Sequence, residues 1–300
     1  IRMSTKKNSL GLRAQKTLNN ALTYIILVIL ACIILVPIFF VIVTAFKTDA
    51  EISFQNFQWL PHSLNFDAFK NAWEMVNWPR AFANSLLITV IVVAGSLFFN
   101  SLAGYAFSRL DFKGKNVLFI ILLMGMMVPA QSIIIPQFII MRSIPLAGGN
   151  NILGAGGTGL LDSYASLILP FLSGPMGIFL CRQFYSTFPK SLDEAAKIDG
   201  CGSFKIYYSI YIPMSTTILA TLTILKTVAT WNDFFYPLIM TTSEAMKTVQ
   251  LGLQTFKGST TTHYNWLMAA TLFTSLPIVI VYLCAQKYFV AGIATSGMKN

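Results

Sequence analysis

Six long stretches of this chain carry almost no charge, and no other feature limits its possible folds as strongly. They cover residues 17–46, 81–108, 116–141, 163–181, 206–225 with a continuation past Lys226 to 240, and 258–286. A helix needs about 20 apolar residues to cross a bilayer, and a soluble core has no room for repeated runs of that length. Only 11% of the residues are charged and 55% are hydrophobic, whereas roughly a quarter of the residues in soluble domains are charged. The expectation is an all-α integral membrane protein with six transmembrane helices. The spanning domain covers 21–288, between tails at 1–20 and 289–300. Runs longer than the minimum predict tilt or extension beyond the bilayer. The first run follows basic residues, as in a signal peptide, but it is too long for a cleaved segment. It is expected to stay as an anchor.

The net charge of +10 would suit a nucleic-acid partner if the basic residues clustered, but they lie mostly between the apolar runs. Lysines and arginines count toward the inner face in short loops. One side holds Arg2, Lys6, Lys7, Arg13, Lys16, Arg109, Lys113, Lys115, Arg182, Lys190, Lys197, Lys205, Lys287 and Lys299. The other holds Lys47, Lys70, Arg80, Arg142, Lys247 and Lys257. Both termini are therefore expected to be cytoplasmic, with outer loops at 47–80, 142–162 and 241–262. No nucleic acid is expected as a partner. The four cysteines avoid the outer segments, so no disulfide framework is implied.

The five tryptophans, Trp59, Trp73, Trp78, Trp231 and Trp266, fall in outer loops or near outer helix ends. They fit an interfacial belt or a surface on which sugar rings stack. Pro129 and Pro136 in the third run, and Pro170, Gly174, Pro175 and Gly177 in the fourth, predict breaks or kinks.

The longest inner loop, 185–213, contains Phe188-Pro-Lys-Ser-Leu-Asp-Glu-Ala-Ala-Lys-Ile-Asp-Gly200, then Cys201-Gly-Ser-Phe-Lys-Ile-Tyr-Tyr-Ser-Ile210-Tyr-Ile212-Pro213. It reads as two short helices meeting at a glycine corner. Ser191 and Glu194 have capping-box spacing, and Gly200 suits a left-handed stop. So short a helix is unstable alone. It needs either a headgroup layer or a protein surface, and the Ala195–Ala196 pair would let a protein approach closely.

The full spacing is Glu-Ala-Ala, three residues, Gly, nine residues, Ile, one residue, an aliphatic, and Pro. It resembles the cytoplasmic signature of permeases in ATP-binding-cassette importers, with Ile212 where those proteins usually have Leu. Three further segments are similar to the carbohydrate, maltose-type branch: Ala83-Asn84-Ser85-Leu86, Trp231-Asn232-Asp233-Phe234 with Pro237-Leu238, and Gln286-Lys287-Tyr288-Phe289-Val290 with Gly292. The resemblance implies a type I importer permease fold. By it, Glu194, Ala195, Ala196, Asp199, Gly200 and Pro213 couple the chain to a separate ATPase. It also implies a second permease subunit, two ATPase subunits that bind ATP and Mg, an extracytoplasmic sugar-binding protein, and a bacterial or archaeal cell membrane.

Lys226 and Asp233 are seven residues apart in the fifth run and would share a helix face. Ionisable residues at membrane depth avoid lipid. Together with Thr230, Trp231 and Asn232 they are candidates to line a translocation path. A buried structural pair, or a snorkelling Lys226, fits the same spacing. The sequence has no phosphate-cradling Gly-x-x-x-x-Gly-Lys-Ser/Thr and no metal-spaced His/Cys cluster, so no cofactor, metal or catalytic residue is expected in this chain. Two other classes remain: an ion-coupled secondary transporter using Lys226 and Asp233, which leaves the loop signature unexplained, and a membrane enzyme, for which no acid/base cluster is found. An importer permease for a non-sugar solute also fits.

Overall fold

The computed structural model describes residues 4–52, 58–257 and 262–297, with side chains described for 15, 17–52, 58–257, 262–284 and 286. Residues 258–261 of the last apolar run, and the side chains of Lys287, Tyr288, Phe289, Val290 and Gly292, lie outside them. So do residues 1–3 and 298–300, and the side chains of the other basic residues in both tails.

The regular structure of the described residues is helical, without a β-sheet. In chain order the helices are α1 (Ser4–Ala45), α2 (Asp49–Ile52), α3 (Asp67–Met75), α4 (Trp78–Arg109), α5 (Lys115–Met124), α6 (Ala130–Arg142), α7 (Tyr164–Ile168), α8 (Pro175–Ser186), α9 (Ser191–Ile198), α10 (Ser203–Ile206), α11 (Ile212–Met214), α12 (Thr216–Trp231), α13 (Phe235–Met240), α14 (Val249–Gln254) and α15 (Tyr264–Gly297). Four stretches are long and apolar enough to cross a bilayer: Thr17–Ala45, Trp78–Arg109, Tyr164–Ser186 and Tyr264–Cys284. Two more are bent pairs, Lys115–Met127 with Ala130–Arg142 and Ser203–Met214 with Thr216–Trp231, bent by 106° and 79°. Counting each pair as one span gives the expected six.

The bends have local causes. Pro129 forces Val128 into an extended conformation (ψ 121°), because a residue before proline is pushed out of the helical region. Pro136 lies inside α6 and does not interrupt it. In the fourth span Pro170 opens a 3₁₀ turn (Leu169–Phe171), and Gly174 is extended just before Pro175 starts α8. The fifth run was expected to continue through Lys226 to 240. Instead it breaks at Ser215 and ends at Trp231. Pro213 lies within α11, and the Ser215 hydroxyl donates back to the Tyr211 carbonyl, a bond that bends helices.

Two compact units divide the chain. In Ile1–Met75 with Phe256–Phe273, Phe46 meets Phe66 and Phe69 at centroid distances of 5.4 and 5.1 Å. Asn265 there donates to the Lys47 carbonyl at 3.1 Å. The apolar window of Thr17–Ala45 has no buried residue, which leaves that face to lipid or to another protein.

In Val76–Thr255 with Thr274–Asn300, α4 packs on α8 and α12. The α4–α8 crossing is close because glycine occupies it from both sides. A Cβ on Gly104 would lie 2.4 Å from the Cys181 Cβ, and one on Gly177 would lie 2.3 Å from Asn100 Nδ2. Small residues serve this purpose where no hydrophobic drive pulls helices together. Asn100 is buried and satisfies the break before α8. Its Oδ1 accepts from the Gly174 N–H at 2.9 Å and the Ser173 hydroxyl at 3.0 Å, while its Nδ2 donates to Ser96 at 2.6 Å.

The tryptophans do not form a single belt. Trp59 and Trp73 are exposed, but Trp78 and Trp231 are core residues, and Trp231 donates Nε1–H to the Thr274 carbonyl at 3.2 Å. Neither of those two is free to stack on a sugar.

Candidate functional site

The loop 185–213 folds as the sequence outlines, with one local correction. Helix α9 runs from Ser191 to Ile198, but Ser191 is already its first helical residue and no side chain caps it. The expected Ser191–Glu194 capping box is absent because the chain enters α9 from Lys190 in a helical conformation. The C-terminal stop matches expectation. Gly200 has φ +75°, and Cys201 N–H donates to Ala196 O at 2.9 Å while Gly200 N–H donates to Lys197 O at 3.0 Å, which completes a Schellman closure.

The helix presents two different faces. Glu194, Ala195 and Lys197 are exposed, as is Ile198 at 87%. Ala196 is buried in a cluster with Tyr105, Tyr185, Tyr207 and Tyr211. The alanine pair therefore offers one methyl outward, not two. Asp199 and Gly200 are exposed at the corner, and Pro213 lies just before the bend of the fifth span.

Arg109, the last residue of α4, holds the inner face of α9. Its Nη1 lies 3.3 Å from an Asp193 carboxylate oxygen, with only 7% and 14% of the two side chains exposed. Its Nη2 donates to the carbonyls of Tyr185 and Phe188 at the end of α8. The Tyr211 hydroxyl donates to the same carboxylate at 2.8 and 3.1 Å, and the Tyr211 ring lies 5.4 Å from the guanidinium. Tyr207 and Tyr211 belong to a π-helical segment, Tyr207–Tyr211. Charge counting treated Arg109 as one more inner-face cation, and its role in packing went unseen. The signal in the sequence was the pair of tyrosines four apart, whose hydroxyls need polar partners when buried.

Lys226, Thr230 and Asp233 line one cavity of about 80 Å³, together with Ser85, Tyr236 and Thr248. Asp233 is not in the helix as expected, since α12 ends at Trp231. Its carboxylate accepts from the Tyr236 N–H at 3.3 Å. Among the described residues, the Lys226 ammonium reaches only the Phe171 carbonyl, at 3.5 Å. Among the described residues no ion pair joins Lys226 to Asp233. Trp231 and Asn232 turn away: Trp231 is buried, and exposed Asn232 contacts the Val228 carbonyl and Gln250. The space holds a few waters, far less than the roughly 300–1,000 Å³ of a ligand pocket.

The opposite end of α4 is anchored by Asn84, which is fully buried. Its Nδ2 donates to the carbonyls of Ala245 and Lys247 at 2.9 and 2.8 Å, and its Oδ1 accepts from the Tyr164 hydroxyl at 2.6 Å. Ser85 accepts from the Val249 N–H at 2.9 Å. The motif Ala83-Asn84-Ser85-Leu86 thus fixes residues 245–249, which lead into α14. Asp162, at φ +55°, accepts at 3.0 Å from both Thr242 N–H and Ser243 N–H, and from the Ser243 hydroxyl. Among the described residues no group of three His, Cys, Asp or Glu is arranged to hold a metal.

Residues 96–295 match the family described as the binding-protein-dependent transport system inner membrane component. The chain belongs to this family. The matched stretch contains the loop helix, the Arg109 cluster and Lys226, Thr230 and Asp233 of the cavity, and it makes this permease a multi-pass membrane protein. Among its relatives, the probable ABC transporter permease protein YurM of Bacillus subtilis is 33% identical over 266 residues, covering 88% of this chain and 83% of that one. The arabinooligosaccharides transport system permease protein AraQ of the same organism is 31% identical, covering 90% and 92%. The fold is shared with a chain of a bacterial ABC transporter involved in import of the acidic polysaccharide alginate, at a TM-score of 0.75 and 24% identity, covering 92% and 98%. These likenesses establish a type I importer permease fold.

Proposed function

We propose that this permease moves a sugar or oligosaccharide inward, as one of two permease subunits in an importer driven by two separate ATPase subunits and fed by an extracytoplasmic binding protein. The observation that carries the reading is the outward face of α9. Glu194, Ala195 and Ile198 stand exposed on an eight-residue helix whose inner face is fixed, as a seat for another protein requires. The names of the relatives support the cargo, arabinooligosaccharides for AraQ and melibiose, raffinose and stachyose for MelC. ATP and Mg belong to the partner ATPases. Both termini are cytoplasmic in this reading, which follows the excess of lysine and arginine on the side of α9.

Lys226, Thr230 and Asp233 line the path, constricted here to the small cavity. The second reading, ion-coupled transport, has behind it the two ionisable residues, Lys226 and Asp233, that line one cavity. ATP-dependent uptake that survives collapse of the ion gradient would remove that alternative.

The test is reconstitution with partner subunits and loaded binding protein. Gly200→Val has room for its side chain, since a Cβ there meets nothing within 4 Å, so its cost is backbone strain of about 1–3 kcal/mol. It should misaim α9 and abolish binding-protein-stimulated hydrolysis, while Gly200→Asn, which tolerates φ > 0, stays near wild type. Glu194→Lys places a cation at a helix start, where it is disfavoured, and on the docking face. Wild-type stimulation in both Gly200→Val and Glu194→Lys would end the reading.

A further inference from the structure

The Arg109 cluster does more than an exposed helix needs to stay folded. Burying an ion pair costs desolvation that a well-packed apolar pair avoids, yet here one guanidinium joins four elements: the end of α4, the last turn of α8, α9 through Asp193, and the π segment through Tyr211. Asp193 directly precedes Glu194, and successive helical residues point about 100° apart. The carboxylate therefore faces inward while its neighbour faces outward.

We infer that Asp193, Arg109 and Tyr211 are positioning residues that pass movement of α9 to α4. The inference rests on the reading of α9 as the ATPase seat. A protein seated on Glu194, Ala195 and Ile198 pushes on a helix whose inner side is tied, through a buried ion pair, to the terminal residue of a spanning helix. Without the pair, α9 would be held inward mainly by Ala196 in the tyrosine cluster, a small apolar contact that lets it rock. The outer face would still be present for docking. The inference thus separates binding of the ATPase from response to it.

The test uses the whole complex in vesicles with loaded binding protein. Asp193→Asn keeps the shape of the side chain and removes the charge. The ATPase should co-purify at wild-type stoichiometry, while binding-protein-stimulated hydrolysis and transport fall about tenfold, within the range usual for coupling between distant sites. Arg109→Gln should match it, and the double variant should be no worse than either single one, as expected for partners in one interaction. Arg109→Lys, which keeps the charge, should recover most of the response. Tyr211→Phe removes one hydroxyl and serves if the charge variants fail to insert; a loss of about tenfold is expected, the low end for a hydrogen bond to a charged group.

Wild-type stimulation in Asp193→Asn and Tyr211→Phe would overturn the inference. So would loss of the ATPase in step with loss of stimulation, since the cluster would then only build the docking surface. If Gly200→Val uncouples while the cluster variants do not, this inference falls and the coupling reading stands. If Gly200→Val and Glu194→Lys are also without effect, both fall.

Discussion

Arg109 with Asp193 and Lys226 with Asp233 are two sets of opposite charges in the same unit, and the protein treats them in opposite ways. The first set is in contact, shielded by Tyr211 and tied to backbone carbonyls. Among the described residues the second lines one cavity without an ion pair, and each side chain has a single polar contact with backbone. Partnered burial freezes a geometry, because removing either ion strands the other. Charges kept apart at a cavity wall hold nothing shut and remain free to meet water or solute, as ionisable residues in membrane proteins commonly do. The loop end of α4 is thus locked by paired charge, while the two charges at the α12 cavity are not locked to each other.

The sharpest way to break this comparison is to remove one ion from each set. Arg109→Leu strands the Asp193 carboxylate and two carbonyls, so unfolding in detergent should lose about 3–5 kcal/mol; a loss below about 1 kcal/mol would mean the cluster is not structural. Lys226→Met combined with Asp233→Asn should change stability by no more than about 1 kcal/mol, because no ion pair is broken, while transport falls severalfold. Stability loss as large as for Arg109→Leu, with normal transport, would make the cavity charges structural too.

The smallest effect is expected at Asp162, a third partnered charge. Burial raises its pKa, but hydrogen bonds from Ser243 and Thr242 outweigh this and hold the carboxyl below its ordinary value. A lowered folded value means the stabilisation is complete above the ordinary carboxylate range near 3.9 and disappears as pH falls through the folded value. Hydrogen exchange at the Thr242 and Ser243 amides should be unchanged from pH 7 to 5 after correction for the intrinsic rate, and protection should drop below pH 4. Asp162→Asn should remove that drop.

The spans were legible because hydropathy is summed over twenty residues and survives any local error. The Gly200 stop was legible because only local backbone geometry is involved. What failed depended on distant partners. Ser191 had the right spacing for a cap, but the entry of the chain from Lys190 decided otherwise. Trp78 and Trp231 had the right positions for an interface, but the α4 and α12 cores claimed them. Asp233 had helical spacing from Lys226 and reached the same cavity from beyond the helix end. Arg109 and Asp193 are 84 positions apart, and no local pattern joins them. Proline marked two of the breaks, though Pro136 shows that its presence does not guarantee one.

Helix α4 is continuous over 32 residues with proline only in its first turn, while the third and fifth spans bend sharply. Asn84 and Arg109, the anchors near its ends, are separated by about 37 Å at 1.5 Å per residue. A stiff beam gripped at both ends cannot let one end move alone. Tilting it at Arg109 would therefore also carry Ala245 and Lys247, whose carbonyls the Asn84 amide holds at the other end.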